Sequence, residues 1–598
     1  MNEREIRSLI ADVAAGRFSR RAFVQGMVAL GLTAPMAAQM LASAGVARAQ
    51  PKTPVFTPTR RGGGGPLRVL WWQAPTLLNP HFATGTKDAD GSRIFYEPLA
   101  AFDPDGNVVP ILAERVPSLD NGDLARDGMS VTWRLKKGVT WHDGKPFTAD
   151  DVVFNWEYAA DPSTATVTIG SYRDLARVEK LDTHTVKVVF KQPTPFWYDA
   201  FCGNRGQLIP KHLFEAYRGA KSREAPTNLK PVGTGGYRFV DFKPGDVVRA
   251  EISPTYHVPN RPFFDSLEMK GGGDAASAAR AVLQTGEFDY AWNMQVEDEI
   301  LQRLEQAGKG RVEIFPGTGN EHIQLNNTDP WTDVDGERSS IKTAHPILSD
   351  PTVRQALNLL VDRSSVQEQI YGRQGQTTAN YLNTPSRFRS TANRWEFNVD
   401  KANHLLDQAG WKRGTDGIRA KDGKRLKFVY QTAINAPRQK TQAIVKQACA
   451  KAGIDIEIKS VVASVFFSSD AANPDTYSHF YTDLQMYTNG PGAPDAQLYM
   501  EQFTTWQVAS KANKWAGRNI TRYRNEECDR LWKAAQTELD AAKRASMFIR
   551  MNDILIQNVV LIPVLWRNGV AAAATRLRGM DLSGWDSNLW HLPYWHRA

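Results

Sequence analysis

The sequence predicts a mixed α/β fold spread over two or three domains, on three observations. The chain has 598 residues, well past the roughly 250–300 at which a single hydrophobic core stops growing. Strand-like and helix-like runs alternate along most of it, the pattern of mixed layers. One stretch, 426–461, reads as a complete strand–helix–strand unit.

Taken in order, the first 21 residues are polar and end in Arg20–Arg21; no charge then appears from Ala22 to Ala47, and 47-ARA-49 offers a small-x-small site before Gln50. Paired arginines ahead of such a run are the mark of a twin-arginine export signal. The run is long enough to span a bilayer, but Gln25, Gly26, Gly31, Pro35 and Gln39 dilute it. No cysteine lies near position 50, so a lipid-anchored end is not expected. A soluble periplasmic product is. Residues 50–65, including PKTPVFTPT and the GGGG of 62–65, lack a hydrophobic period and are expected to form a flexible leader. The glycines follow no strand and precede no Gly-Lys-Ser/Thr, so they are no phosphate loop.

The first strand is expected at 67-LRVLWW-72, and two short strands at 131-VTWRL-135 and 139-VTW-141, with turns at Lys136–Lys137–Gly138 and His142–Asp143–Gly144. Thr148 fits a helix N-cap, with Asp151 as its reciprocal partner, Phe147 packing on Val152, and Asp150 and Asp151 facing the positive end of the helix dipole. Every polar residue of 141-WHDGKPFTADD-151 thereby has a structural task, and neither catalysis nor metal binding is expected of the cluster. In 426-LKFVYQ-431 apolar and polar residues alternate; Pro437 suits the first turn of a helix with Ile444, Val445, Ala448, Cys449 and Ala452 on one face. Gly453 can end it, and 454-IDIEIKSV-461 is a strand with Ile454, Ile456 and Ile458 on one face. After Asp540 comes a helix with Met547, Phe548, Met551, Ile554 and Leu555 on one side, then a buried strand, 559-VVLIPVLW-566.

Composition excludes several functions. Without residues 1–49 the chain carries 67 Lys and Arg against 61 Asp and Glu, interleaved rather than gathered into the basic stripe of a nucleic-acid binder. Cys202, Cys449 and Cys528 are far apart and odd in number; one disulfide is possible, a CxxC metal site is not. No GxSxG or HExxH occurs, Gly233–Gly236 lacks the rest of a dinucleotide fingerprint and reads as a tight turn, and His591 and His596 are poorly spaced for ligands on one helix face. The tryptophans are expected in core and pocket wall. No enzyme, cofactor or metal is expected.

The string 133-WRLKKGVTWHDGKPFTADDVVFNWEY-158, with 231-PVGTGGYRFVDFKPGD-246, 263-FFDSLEMK-270, 286-GEFDYAW-292, 350-DPTVRQALNLLVDRSSV-366 and 399-VDKANHLLDQAGW-411, resembles the extracellular solute-binding proteins of family 5, the oligopeptide and dipeptide-type binding components of ATP-driven (ABC) importers. The resemblance implies a two-lobed periplasmic binding protein of three domains, with a hinge between I and III. Domain I would take 66–110, 230–330 and 556–598, domain II 111–229 and domain III 331–555. It also implies a monomer that serves a membrane permease and ATPase. In peptide-binding relatives the ligand lies as an added strand between a domain I loop and a domain III strand. These correspond to 79-NPHFATGT-86, with Thr84, Gly85 and Thr86, and to 485-QMYTNGPGAPD-495, with Met486, Tyr487, Thr488 and Asn489. Trp292, Asn293 and Trp566 complete the expected ligand-binding set. Where the relatives place an aspartate against the peptide ammonium, this chain has Gly490. Either Asp483 or Asp495 supplies the charge, or the solute is not a free-amino peptide but, for example, an opine, glycoside or metal chelate. A sensor on the same fold and an exported hydrolase are the competing readings.

Overall fold

Pro66–Leu70, which starts one residue before the expected first strand and ends two residues short of it, lies at the centre of a seven-stranded sheet in the order Gly310–Phe315, Gly569–Ala574, Tyr290–Ala291, Pro66–Leu70, Ser266–Lys270, Val247–Ile252, Tyr237–Lys243. It runs parallel to both neighbours, and its Leu67 and Val69 are fully buried, as a strand covered on both faces requires. The structure is a computed structural model that describes residues 56–83, 85–468 and 472–598. The expected export signal, the leader up to residue 55 and Thr84 lie outside these residues. Helices Ala275–Leu283 and Asp298–Glu305 cover one face through Ala278, Ala279, Val282, Leu301 and Leu304.

A second, three-stranded antiparallel sheet of Ser130–Arg134, Thr185–Phe190 and Leu175–Asp182 carries helix Ala149–Ala160. Its Val131, Trp133, Val186 and Val188 belong to the same continuous core as Leu67, Trp71 and Trp595. These two sheets therefore form one lobe. The expected strand at 139–141 is not a ladder; only the isolated bridge Thr140–Pro146 forms, because the tight turn at His142–Gly144 leaves no length for more.

The other lobe is built on a six-stranded sheet: Gly375–Thr377, Leu561–Arg567, Asn320–Leu325, Leu484–Asn489, Lys427–Ala433, Asp455–Val461. The strand–helix–strand reading of 426–461 matches it. Lys427–Ala433 and Asp455–Val461 are parallel, joined by helix Ala436–Lys451, which Asn435 caps and Pro437 opens. Gly453 follows at φ 75°, in the left-handed region that favours glycine. Ile458, expected on the same face as Ile454 and Ile456, is 38% exposed while those two are buried. The helix after Asp540 spans Ala541–Gln557 and buries Phe548, Met551, Ile554 and Leu555.

Sheet pairing redraws the expected segment limits. Asn320–Leu325 and Leu561–Arg567, placed by the sequence reading with the first lobe, pair with each other in the second. The chain thus crosses between lobes at 316–319 and again at Asn568, and the crossings lie side by side: Arg567 N–H donates to Gly319 O at 2.8 Å and Trp566 Nε1 to Gly317 O at 2.9 Å. A Cβ on Gly317 would stand 2.4 Å from Arg567 O, so only glycine allows this approach.

The glycine run is pinned rather than free. Gly63 and Gly65 N–H groups donate to the Asp265 carboxylate at 2.7 and 2.8 Å, Gly62 and Gly64 donate to Pro262 O and Phe263 O, and Arg61 bonds the carbonyls of Ser253 and Tyr256. Cys202, Cys449 and Cys528 are all free and buried, each in a different core. Among the described residues no helix is long and apolar enough to cross a membrane.

Candidate functional site

The cluster at 142–151 is structural, as its sequence indicates. Asp150 N–H donates to Thr148 Oγ1 at 3.3 Å and Thr148 N–H to Asp151 Oδ2 at 2.9 Å, closing the capping box. Asp151 Oδ1 also accepts from Lys211 N–H at 3.1 Å. His142 Nδ1 accepts from Gly233 N–H at 3.1 Å, so Nε2 carries the proton and donates to Gly235 O at 2.9 Å. Burial lowers the His142 pKa, which keeps the ring neutral in its clasp on the 233–236 turn.

The strand expected to meet the ligand, Leu484–Asn489, pairs along its whole length with Asn320–Leu325. On its other side the ladder to Lys427–Ala433 covers only Leu484, Gln485 and Met486, and Thr432 Oγ1 takes the Met486 carbonyl at 2.8 Å. Tyr487, Thr488 and Asn489 are left with an edge that this ladder does not cover, the requirement for strand addition. Their side chains are anchored. Tyr487 lies between His322 and Tyr477, with ring centroids 4.9 and 5.4 Å away, and accepts from Gln324 Nε2 at 3.1 Å. Asn489 Oδ1 accepts from the Tyr381 and Tyr499 hydroxyls at 2.7 and 3.2 Å. Met486 points into the core, fully buried, with the Tyr430 hydroxyl on its sulfur at 3.1 Å; it is packing.

Thr488 Oγ1 belongs to a cluster the sequence does not reveal. It accepts from Arg438 Nη2 at 3.0 Å, and Arg438 and Arg567 both bond the buried Glu321, through Nη2 at 3.1 Å and Nη1 at 3.2 Å. Burial opposes ionisation of Glu321, but the two guanidiniums outweigh it and hold the carboxyl at about 2. Arg567 is the last residue before the second crossing, so this cluster sits at the root of both lobes.

Past Asn489 the chain turns beside a small cavity of about 20 Å³ between the two lobes. Arg205 and Phe196 line it from the first lobe; Gly490, Tyr499 and Arg518 line it from the second. Gly490 has a packing reason to be glycine, since a Cβ there would stand 2.2 Å from Thr318 O at the first crossing. Both acids proposed as substitutes are occupied. Asp495 receives two bonds from Arg544, that from Nη2 at 2.7 Å. Asp483 accepts from Trp331 Nε1, His345 Nε2 and Val429 N–H at 2.9, 3.0 and 2.6 Å.

The remaining expected residues are spread over the first lobe and the crossings. Gly85 is the N-cap of helix Thr86–Arg93, and Thr86 its first residue. Trp292 stacks on Trp71 at 6.0 Å, Asn293 O accepts from Trp72 Nε1 at 3.0 Å, and Trp566 is tied to the first crossing. Arg205, Arg518, Glu321 and Arg438 were not expected. Each acquires its meaning from partners far along the chain, and no local spacing marks it.

The sequence model of the bacterial extracellular solute-binding proteins, family 5 Middle, matches residues 107–511. The oligopeptide-binding protein AppA of Bacillus subtilis (strain 168) is 28% identical over 485 residues, 80% of this chain and 81% of that one. The glutathione-binding protein GsiB of Escherichia coli (strain K12) is 23% identical over 508 residues, 84% and 89% of the two chains. Among solved structures, AppA from Bacillus subtilis in complex with a nonapeptide superposes with a TM-score of 0.73 at 24% identity, covering 91% of this chain and 100% of that one. NikZ from Campylobacter jejuni in complex with Ni(L-His) gives 0.74 at 22% identity, covering 89% and 99%.

Proposed function

The chain belongs to the bacterial extracellular solute-binding proteins of family 5, and from that premise we propose that it is the solute-capturing component of an ABC importer, holding a peptide or peptide-like compound between its lobes and passing it to a membrane permease and ATPase. The observation that carries this reading is the uncovered edge at Tyr487–Asn489, which ends at the cavity between the lobes. An extended backbone laid there gains main-chain hydrogen bonds whatever its side chains, which suits a peptide. The relatives' peptide and glutathione ligands point the same way. No bond is broken in the cycle; the solute touches both lobes only when they are closed, and that difference in affinity drives closure about the two crossings.

The two lobes would divide into three domains as expected, with the crossings at 316–319 and Asn568 as the hinge. The mature protein would act as a monomer in the periplasm after twin-arginine export. Calorimetry with di- to pentapeptides, paired with small-angle scattering, tests capture: saturable heats with a fall in radius of gyration are expected, and no binding by any peptide would end the peptide reading. Arg20→Lys with Arg21→Lys is expected to abolish periplasmic yield; an unchanged yield would refute the export route.

A further inference from the structure

The cavity beside Gly490 brings together two arginines, one from each lobe. Arg205 reaches it from the segment Gly203–Arg205 of the first lobe. Its Nη2 lies 3.8 Å from where a Cβ on Gly492 would stand, so the guanidinium lies close over the turn that follows the open strand edge. Arg518 comes from the second lobe and spends one donor on Leu498 O, through Nη1 at 2.7 Å. Among the described residues neither arginine has a carboxylate within 4.0 Å. The one acid on the wall, Asp495, is already neutralised by Arg544 and caps Gln497 N–H at 2.8 Å. Asp199, on the wall of the adjoining cavity, acts on Arg205 only at longer range. Burial lowers the Arg205 pKa, Asp199 opposes it, and the like charge of Arg518 lowers it in smaller measure.

Two cations brought to one partly enclosed space from opposite lobes repel each other as the lobes close. An anion between them turns that repulsion into attraction, because guanidinium donors bond oxyanions in pairs and the bonds are charge-assisted. The arrangement therefore favours a closed form with an anion inside over one without. The nearest neighbours supply no free countercharge for an ammonium: Gly490 contributes no side chain, and Asp495 is held by Arg544.

We propose that this cavity is an anion subsite in which Arg205 and Arg518 together hold a carboxylate, or another oxyanion, of the captured solute. The proposal rests on the reading that a solute is held between the lobes, and it narrows the class to solutes with an acidic group at this end of the strand edge.

The test uses three probes on the full mature chain and on Arg205→Gln/Arg518→Gln: N-acetyl-trialanine amide, N-acetyl-trialanine and N-succinyl-trialanine amide. The first is neutral, and the others carry a carboxylate at one end or the other. In calorimetry at low salt at least one acidic probe is expected to bind about tenfold or more tightly than the neutral one, with the advantage gone in the double variant and reduced in each single variant. Equal affinity for all three, or an advantage that survives in the double variant, would overturn the subsite while leaving peptide capture intact. If none of the three binds, thermal melts with succinate decide: stabilisation of the wild type alone supports the subsite and removes the peptide reading, whereas stabilisation of both proteins or neither removes both. Circular dichroism of each variant before titration confirms the fold, and Arg518→Lys, which keeps the charge but loses the fork, is expected to fall between wild type and Arg518→Gln.

Discussion

Glu321 shows how much of a site can hang on one residue. It is fully buried and balances two arginines that come from a helix start and a strand end. Glu321→Gln would leave Arg438 and Arg567 buried without a countercharge, and a cost of about 3–5 kcal/mol at neutral pH is expected in chemical denaturation. An unfolded glutamate titrates near 4.3, while the folded one is held at about 2. The stabilisation is thus complete above about pH 4.3 and is lost as pH falls toward 2. The wild type is expected to lose its advantage over the glutamine variant across that window, and a stability gap between the two that stays constant from pH 6 to 2 would refute the pairing. Residues of this kind were the least legible in the sequence. Gly490 was recognisable as a departure, but the reasons that Asp495 and Asp483 cannot compensate for it lie in Arg544 and His345, 49 and 138 positions away. The same holds for Arg205 and Arg518: each is one exposed or half-buried arginine among many until the fold sets them across one cavity.

Elements were far more legible, because caps and apolar periods are local. Thr148 with Asp151, Asn435 with Pro437, and Asp540 ahead of Ala541–Gln557 all start helices where their side chains say they should. Replacing Asp150 and Asp151 with alanine is expected to cost about 1–2 kcal/mol through lost capping and dipole interactions, most of it at Asp151, which also holds Lys211 N–H. Solute affinity measured well below the melting temperature is expected to stay unchanged; a large loss of affinity in a folded double variant would return the cluster to the list of binding sites. Element reading failed where the neighbour decides. Ile458 alternates like a core residue yet is left exposed on an edge strand, and the glycine run of 62–65 has the composition of a linker yet is held by Asp265, some 200 residues on. Composition reports what a backbone can do alone and is silent on what will bind it.

For the whole molecule, two lobes and their mixed sheets followed from length, alternation and family resemblance, while the limits between them did not. The chain switches sheets twice within a few residues, at 316–319 and Asn568, and no composition change marks either place. These switches bear on how the protein is made as well as on how it moves. Leu561–Arg567 is an interior strand of the second sheet and Gly569–Ala574 an interior strand of the first, so both lobes are completed by one short segment near the C-terminus. During synthesis neither sheet can close until residues 561–574 have left the ribosome, and the waiting chain exposes unpaired strand edges in both halves. A chain ended after Gln557 is expected to show no cooperative melting in either lobe, although it keeps all of the second sheet's other strands; a sharp transition in that fragment would show that the lobes mature separately. The segment that joins the lobes also sets the moment of folding: a single late event, governed by strand pairings some 190 to 280 residues apart, in which the polypeptide remains open to chaperones until its end is in place.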